Sequence, residues 1–334
     1  MPDVSVLVAA ALALSLNLYA VFGGADYGGG IWALLAFGSR ATRQRDTIAR
    51  ALAPVWEANH VWLVLAVVIL FTGFPFAFAV LGTALHVPLT LLLFGIVLRG
   101  TAFVFRAYGG SSGRPERSWE HLFAMASSIT PLLIGMIVGA VTEGHIHVVD
   151  GKVQAGLFYA WTTPFCLLVG MFALALFAFL AAVFLTLEAD SPALANDFRR
   201  RALTGGVAVA CLALAVFWAS NAEVRDGLTR SFWALPLHAA TGACAVLAFV
   251  FLYISAFRWA RVAAAAQVSC IVWGWVFAQY PFLIRPDVTV QSAAAPTATL
   301  RLLVVLLGTG ALVLFPALAY LFLVFDPAST HDDA

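Results

Sequence analysis

The first apolar stretch, residues 4–37, contains one formally charged side chain, Asp26. A hydrocarbon layer about 30 Å thick is crossed by roughly 20 consecutive apolar residues in a helix, and eight further runs of similar character follow along the chain. A backbone inside lipid must satisfy its own hydrogen bonds, so unbroken runs of this length fold as helices. The residue-by-residue alternation of a transmembrane barrel strand is absent. Of the 334 residues, 63% are hydrophobic and only 10% are charged, whereas a soluble domain carries roughly 25%. That excludes an ordinary cytosolic enzyme, a disordered chain and a secreted disulfide scaffold. The fold class expected is all-α: a polytopic integral membrane protein forming a single membrane domain over residues 1–334.

Nine spans are read at about 4–37, 52–73, 75–105, 119–142, 156–187, 203–220, 231–256, 262–281 and 297–325. Their even division suggests two four-helix bundles plus one peripheral helix, with no internal sequence repeat. Several exceed the bilayer's requirement and must tilt, kink or protrude. The loops after spans 1, 3, 5 and 7, with their flanks, hold 13 of the 18 basic residues: Arg40, Arg43, Arg45, Arg50, Arg99, Arg106, Arg114, Arg117, Arg199, Arg200, Arg201, Arg258 and Arg261. The positive-inside rule places these loops in the cytoplasm. The N-terminus is then outside, and the C-terminus, with Asp332 and Asp333, is inside. No basic residue precedes Arg40, so the first run reads as a retained span rather than a signal peptide.

The loops are short, and no CxxCH, Walker loop or Rossmann fingerprint occurs in them. A net charge of +1 gives no footprint for nucleic acid. Cys166, Cys211, Cys244 and Cys270 lie widely spaced in apolar runs and read as small buried residues.

Ionisable groups inside hydrocarbon are functional candidates by default. Asp26 sits in Gly23-Gly24-Ala25-Asp26-Tyr27-Gly28-Gly29-Gly30. One reading is a carboxylate beside a helix break, serving a proton or ion path; the other is a tight helix crossing with a hydrogen-bonded structural acid. Glu57 lies near the start of span 2, in Pro54-Val55-Trp56-Glu57-Ala58-Asn59-His60-Val61-Trp62. It either favours the helix N-terminus electrostatically or joins Asn59 and His60 in a titratable group. Arg99, in Leu98-Arg99-Gly100-Thr101-Ala102-Phe103, either snorkels to the headgroups or neutralises Asp26 or Glu57. His60 and His86, on adjacent spans, could grip a haem iron as a bis-histidine pair. His238 reads as structural, and a His145–His147 metal site is a weaker reading. Trp273 and Trp275 read as packing rather than cofactor contacts.

Together these motifs resemble subunit II of the cytochrome bd quinol oxidases, including the cyanide-insensitive branch. The resemblance rests on the Gly24–Gly30 and Pro54–Trp62 segments, on Leu98–Phe103 with Arg106, on Thr163-Pro164-Phe165 and on Tyr280-Pro281. It covers nearly the whole chain and is most specific over residues 20–106. It implies a heterodimer in the bacterial cytoplasmic (inner) membrane with a related haem-bearing subunit I. That partner carries haems b and d, oxidises quinol and reduces oxygen with cytoplasmic protons, so turnover is electrogenic. This chain would bind no haem, though some members hold a structural quinone. A small single-span subunit and membrane lipid are further candidate partners. By the same resemblance, Glu57 falls on an acidic position of a proton path, Asp26 on a buried acid of span 1 and Trp62 near an oxygen route. The expected site is thus Asp26, Glu57 and His60 for protons, with Trp62, Asn59 and Arg99 as oxygen-route or structural residues. Two departures stand out: Val104 replaces a frequent acid, and His60 stands where glutamine is common. The competing functions are a proton- or ion-coupled secondary transporter, using residues 23–30 as a discontinuous helix, and a b-type electron carrier using His60 and His86.

Overall fold

The computed structural model describes residues 3–52, 56–108 and 114–324; side chains at 56–58, 106–108, 114–117, 315 and 318–324 lie outside the description. The chain is helical almost throughout. The helices are α1 (Val4–Leu34), α2 (Ala41–Leu52), α3 (Trp56–Gly73), α4 (Pro75–Ala84), α5 (His86–Tyr108), α6 (Arg114–Glu143), α7 (Pro164–Glu188), α8 (Pro192–Ala219), α9 (Ala222–Arg230), α10 (Ala234–Tyr253), α11 (Phe257–Gln279) and α12 (Thr297–Val324). Two short antiparallel pairs lie at one end: β1 (His147–Val149) with β2 (Lys152–Gln154), and β3 (Phe282–Ile284) with β4 (Val288–Thr289).

Among the described residues, eight helices are each long and apolar enough to cross a membrane, or nine when α3 and α4 count as one bent span. The long helices form two groups, α1, α3, α5, α6 and α7, α8, α10, α11, with α12 against α1 and α3. The groups meet along α1, α6 and α7.

The structure corrects three span boundaries. The run expected to cross once over 75–105 is two helices: α3 and α4 are bent by 114° across Phe74, and α5 starts afresh at His86. Pro75 at the first position of α4 has no N–H to continue α3, and Phe74 leaves helical geometry at φ −135°. The span expected from 156 starts at Pro164, where the Thr163 hydroxyl accepts from the Cys166 N–H at 3.1 Å. Residues 157–161 are apolar yet form turns, because Thr163 and Pro164 supply a stronger helix start. In contrast, α8 begins at Pro192, eleven residues before the expected 203, and carries Arg199–Arg201 into a helix.

Close approach explains how α1 sits at the centre. A side chain at Gly28 would overlap the backbone carbonyl of Phe177 on α7, and one at Gly30 would overlap Ser127 on α6. Small residues on one face let helix backbones approach within lipid, where packing rather than water exclusion drives association.

The two ends of the bundle are built differently. At the hairpin end, Ile146 bridges to Pro286, and the Arg285 N–H donates to the Val141 carbonyl at 3.0 Å. The Arg285 side chain, 6% exposed, donates to the Ala278 carbonyl at 2.7 Å and to Glu223 at 2.9 Å. Burial draws this guanidinium below its ordinary range, and Glu223 opposes the shift. At the other end arginines cap helix C-termini, where carbonyls lack partners. Arg45 donates to the carbonyls of Ala33 and Ala36, Arg199 to that of Tyr253 and Arg261 to that of Phe184.

If the α1–α7 crossing requires the absent side chain, Gly28→Ala lowers the yield of folded protein and its melting temperature. Gly82→Ala in α4, where nothing lies within 4 Å, should be neutral or stabilising by up to about 1 kcal/mol. Thermal unfolding of the two variants side by side checks this; equal behaviour would show that the crossing tolerates a methyl.

Candidate functional site

Asp26 lies on α1 eight residues before its end at Leu34, about 12 Å along the axis. It is fully buried, at 0% exposure, and Arg99 on α5 is 2% exposed. The two form an ion pair between Arg99 Nη2 and Asp26 Oδ1. Arg99 Nη2 also donates to the Asp26 backbone carbonyl at 3.4 Å, and Nε donates to Ser127 Oγ on α6 at 3.0 Å. The guanidinium carbon stands 4.5 Å from the Tyr27 ring centroid and 5.1 Å from that of Phe123. Tyr27 stacks on Phe177 of α7, with centroids 6.3 Å apart, and its hydroxyl meets that of Tyr19 at 3.2 Å. One buried cluster therefore ties α1, α5, α6 and α7 together.

The geometry bears on both residues. Arg99 points inward rather than snorkelling and pairs with Asp26, a charge-assisted bond between two buried groups. There is no helix break at residues 23–30: α1 is continuous over Val4–Leu34. The glycines serve close packing, so the discontinuous helix that the transporter reading needs is absent from this segment.

The α3 candidates lie beside the same helix. Asn59 is fully buried, and a side chain at Gly23 would sit 3.0 Å from both its amide nitrogen and its amide oxygen. Gly23 is one turn before Asp26 on the same face of α1. Among the described residues, Asn59 Oδ1 and Nδ2 and Asp26 Oδ2 are buried without a hydrogen-bond partner. Buried polar atoms are nearly always paired, with protein or with ordered water. Trp62 is half-buried and stacks on Phe22 of α1, with centroids 6.4 Å apart. His60 is half-buried in the second turn of α3. Glu57 belongs to the first turn of α3 by its backbone; its side chain lies outside the described residues. Val104 is 41% exposed on α5.

The bis-histidine reading is overturned by distance. His60 lies in the second turn of α3, whereas His86 opens α5, after the far end of α3 and the whole of α4. The thirteen residues from His60 to Gly73 alone rise about 20 Å. His86 instead meets the Thr83 carbonyl at 3.0 Å, and His238 meets the Ala234 carbonyl at 2.6 Å. His145 and His147 each face one carboxylate, Glu143 at 3.5 Å and Asp287 at 3.4 Å. Among the described residues, no group of three or more metal-ligating side chains occurs. Trp275 donates to Thr142 Oγ1 at 2.9 Å, and Trp273 packs on Phe277 at 5.6 Å. Ser127, Tyr19 and Phe123 are cluster members that sequence reading missed. The polar Ser127-Ser128-Ile129-Thr130 stretch inside an apolar run was the available signal.

Comparison with known proteins adds an independent line. The family model described as cytochrome bd terminal oxidase subunit II matches residues 4–325. The putative cytochrome bd menaquinol oxidase subunit II of Bacillus subtilis (strain 168) is 26% identical over 326 residues, covering 92% of this chain and 91% of that protein. The cytochrome bd-I ubiquinol oxidase subunit 2 of Escherichia coli (strain K12) is 24% identical over 309 residues, covering 83% of this chain and 80% of that protein. A chain of the bd oxidase structure from Geobacillus thermodenitrificans superposes with a TM-score of 0.80, at 22% identity, covering 96% of this chain and 98% of that one.

Breaking a buried ion pair by removing one partner costs about 3–5 kcal/mol, because the other charge is stranded. Asp26→Asn and Arg99→Met should each destabilise on that scale, and the double variant should recover much of the loss. Thermal unfolding of the three variants measures the coupling. Strictly additive losses would show that the pair does not hold the helices together.

Proposed function

Because this chain belongs to the cytochrome bd terminal oxidase subunit II family, we propose that it works as the non-haem subunit that feeds protons to a haem-bearing, oxygen-reducing partner. It is a subunit of a quinol oxidase, an oxidoreductase complex of the respiratory chain. The partner, subunit I, holds haems b and d and takes electrons from quinol. The complex lies in the bacterial cytoplasmic membrane with the arginine-rich end of this chain inside and its N-terminus outside. The asymmetry of arginines supports that orientation.

The carrying observation is the buried polar seam on α1: the Asp26–Arg99 pair with orphaned polar atoms at Asp26 Oδ2 and on Asn59. Oxygen reduction consumes protons, and hydrocarbon supplies none without titratable groups and water. Glu57 and His60 lie in the first two turns of α3, at the arginine-rich end, where cytoplasmic protons arrive. Asn59 packs against Gly23, one turn farther from that mouth than Asp26, and a water held by Asn59 and Asp26 Oδ2 would join the α3 groups to the pair. Arg99 is permanently charged and repels an excess proton. Asp26 is accordingly a positioning residue that fixes Arg99 and the water, while Glu57 and His60 move the proton. Trp62, stacked on Phe22, borders the same seam on the side assigned to oxygen entry.

In the assembled complex, Glu57→Gln should slow oxygen consumption roughly tenfold, equivalent to about 1.4 kcal/mol on the barrier, while haem content and subunit ratio stay normal. Asp26→Asn should lower both assembly and turnover. Oxygen-electrode rates per haem, read with proton uptake, check both. Full turnover with normal uptake in Glu57→Gln would remove Glu57 from the path.

A further inference from the structure

At the arginine-rich end, a cleft of about 360 Å³ opens between the turn after α1, the start of α2 and the first turns of α8. Its charged lining is Arg40, Arg200, Arg201 and Asp197. Arg40 forks onto Asp197, Nε to Oδ2 and Nη2 to Oδ1, both at 2.7 Å, so these two charges cancel. Arg201 Nη2 donates only to neutral acceptors, the Leu35 carbonyl at 3.2 Å and Gln44 Oε1 at 2.7 Å. Its guanidinium is held flat by the Trp32 ring, 5.1 Å from the centroid. Arg200 is exposed. Among the described residues, neither Arg200 nor Arg201 has a carboxylate within ion-pair distance. Three arginines against Asp197 leave the concavity with an excess of positive charge, although Asp197 acts on Arg201 as well as on Arg40, and that excess concentrates its field on an anion. Gly38, Ser39 and Arg40 lead into the twelve-residue helix α2, so the positive end of its dipole adds to that field.

The cleft also sits at a defined depth. The 28 residues of α8 rise about 42 Å, against a hydrocarbon thickness of about 30 Å. Counting roughly 20 residues back from Ala219 puts Arg199–Arg201 at the boundary between hydrocarbon and headgroups. An apolar rim adjoins the charges: Phe37, on the cleft wall, is 79% exposed, and Leu34 and Leu35 are 43% and 48% exposed. A free anion needs only the arginines. An anion carrying acyl chains needs both.

We infer that this cleft binds the phosphodiester headgroup of an anionic phospholipid, with the phosphate between Arg200 and Arg201 and the chains along Leu34, Leu35 and Phe37. Guanidinium forks match phosphate oxygens in geometry and charge. The site is independent of the proton seam, because none of its residues belongs to that cluster.

The test uses the purified complex, stripped of lipid and titrated with phosphatidylglycerol in mixed micelles, with bound lipid counted by native mass spectrometry. Phosphatidylcholine and inorganic phosphate form the other arms. Each basic residue near an anionic lipid surface contributes roughly a fivefold gain in affinity. Arg200→Gln should therefore weaken tight phosphatidylglycerol binding by about that factor. Arg301→Gln, the same change of charge at the opposite end, should not. Phosphatidylcholine should bind weakly, and millimolar phosphate should not displace the lipid. Equal lipid affinity in wild type and Arg200→Gln would overturn the inference. Complete displacement by inorganic phosphate would overturn the lipid as the source of the anion. Loss of the partner subunit from Arg200→Gln at unchanged lipid affinity would assign the cleft to protein contact instead.

Discussion

A carboxylate and a guanidinium that leave water together hold each other by necessity. Asp26 and Arg99 are both buried, and neither has the headgroup region in reach. Their pairing fixes where α1 and α5 sit relative to each other. Ser127 then fixes α6 through the same guanidinium, and Tyr27 fixes α7 through its ring. A buried pair is weak evidence for stability as such, since apolar replacements can do as well. Its worth here is register: the pair is satisfied in one arrangement of four helices. The glycines of α1 make that arrangement reachable, since a methyl at Gly28 or Gly30 would prise α1 from its neighbours.

The physical class of the protein was legible because hydrophobicity at this level leaves no other solution. Some run ends coincide with helix ends, as where α1 opens at Val4 and α12 at Thr297. The failures fall where apolar character is not the deciding variable. Residues 157–161 are apolar but stand before the Thr163 cap, and 75–105 are apolar but interrupted at Leu85, where α4 ends and α5 begins. The glycine-rich segment misled in the opposite way. Five glycines weaken an isolated helix, but packing against α6 and α7 offsets that cost and α1 stays continuous. The site was half legible. Scarcity of charge made Asp26 and Arg99 conspicuous as individuals. Their partnership was one reading among others, because 73 residues separate them and local spacing does not choose between partners on different helices. Ser127 and Tyr19 were lost for a related reason: a lone hydroxyl in a span usually bonds its own helix, as Thr130 does with Ala126 here.

The arginines carry two duties that a charge count merges. As a population they crowd the loops after spans 1, 3, 5 and 7. Individually, Arg45, Arg199 and Arg261 donate to helix-terminal carbonyls, completing hydrogen bonds at the level where hydrocarbon gives way to headgroups. Arg99 is drawn inside to Asp26, and Arg200 is left for the surface. The same residue type thus gathers at one end of the bundle, donates near helix ends and anchors the buried seam, according to which acceptors lie within reach.

The central claim is that a hydrated polar seam along α1, bridged by Asn59, carries protons toward the partner. The most direct measurement is the rate of proton uptake, followed with a pH indicator as the fully reduced complex reacts with oxygen, in wild type and in Asn59→Leu. Leucine fills the same buried volume without hydrogen-bonding atoms and leaves every charge in place. The expected result is slowed uptake with unchanged oxygen binding and haem content. Uptake at the wild-type rate in that variant would contradict the claim.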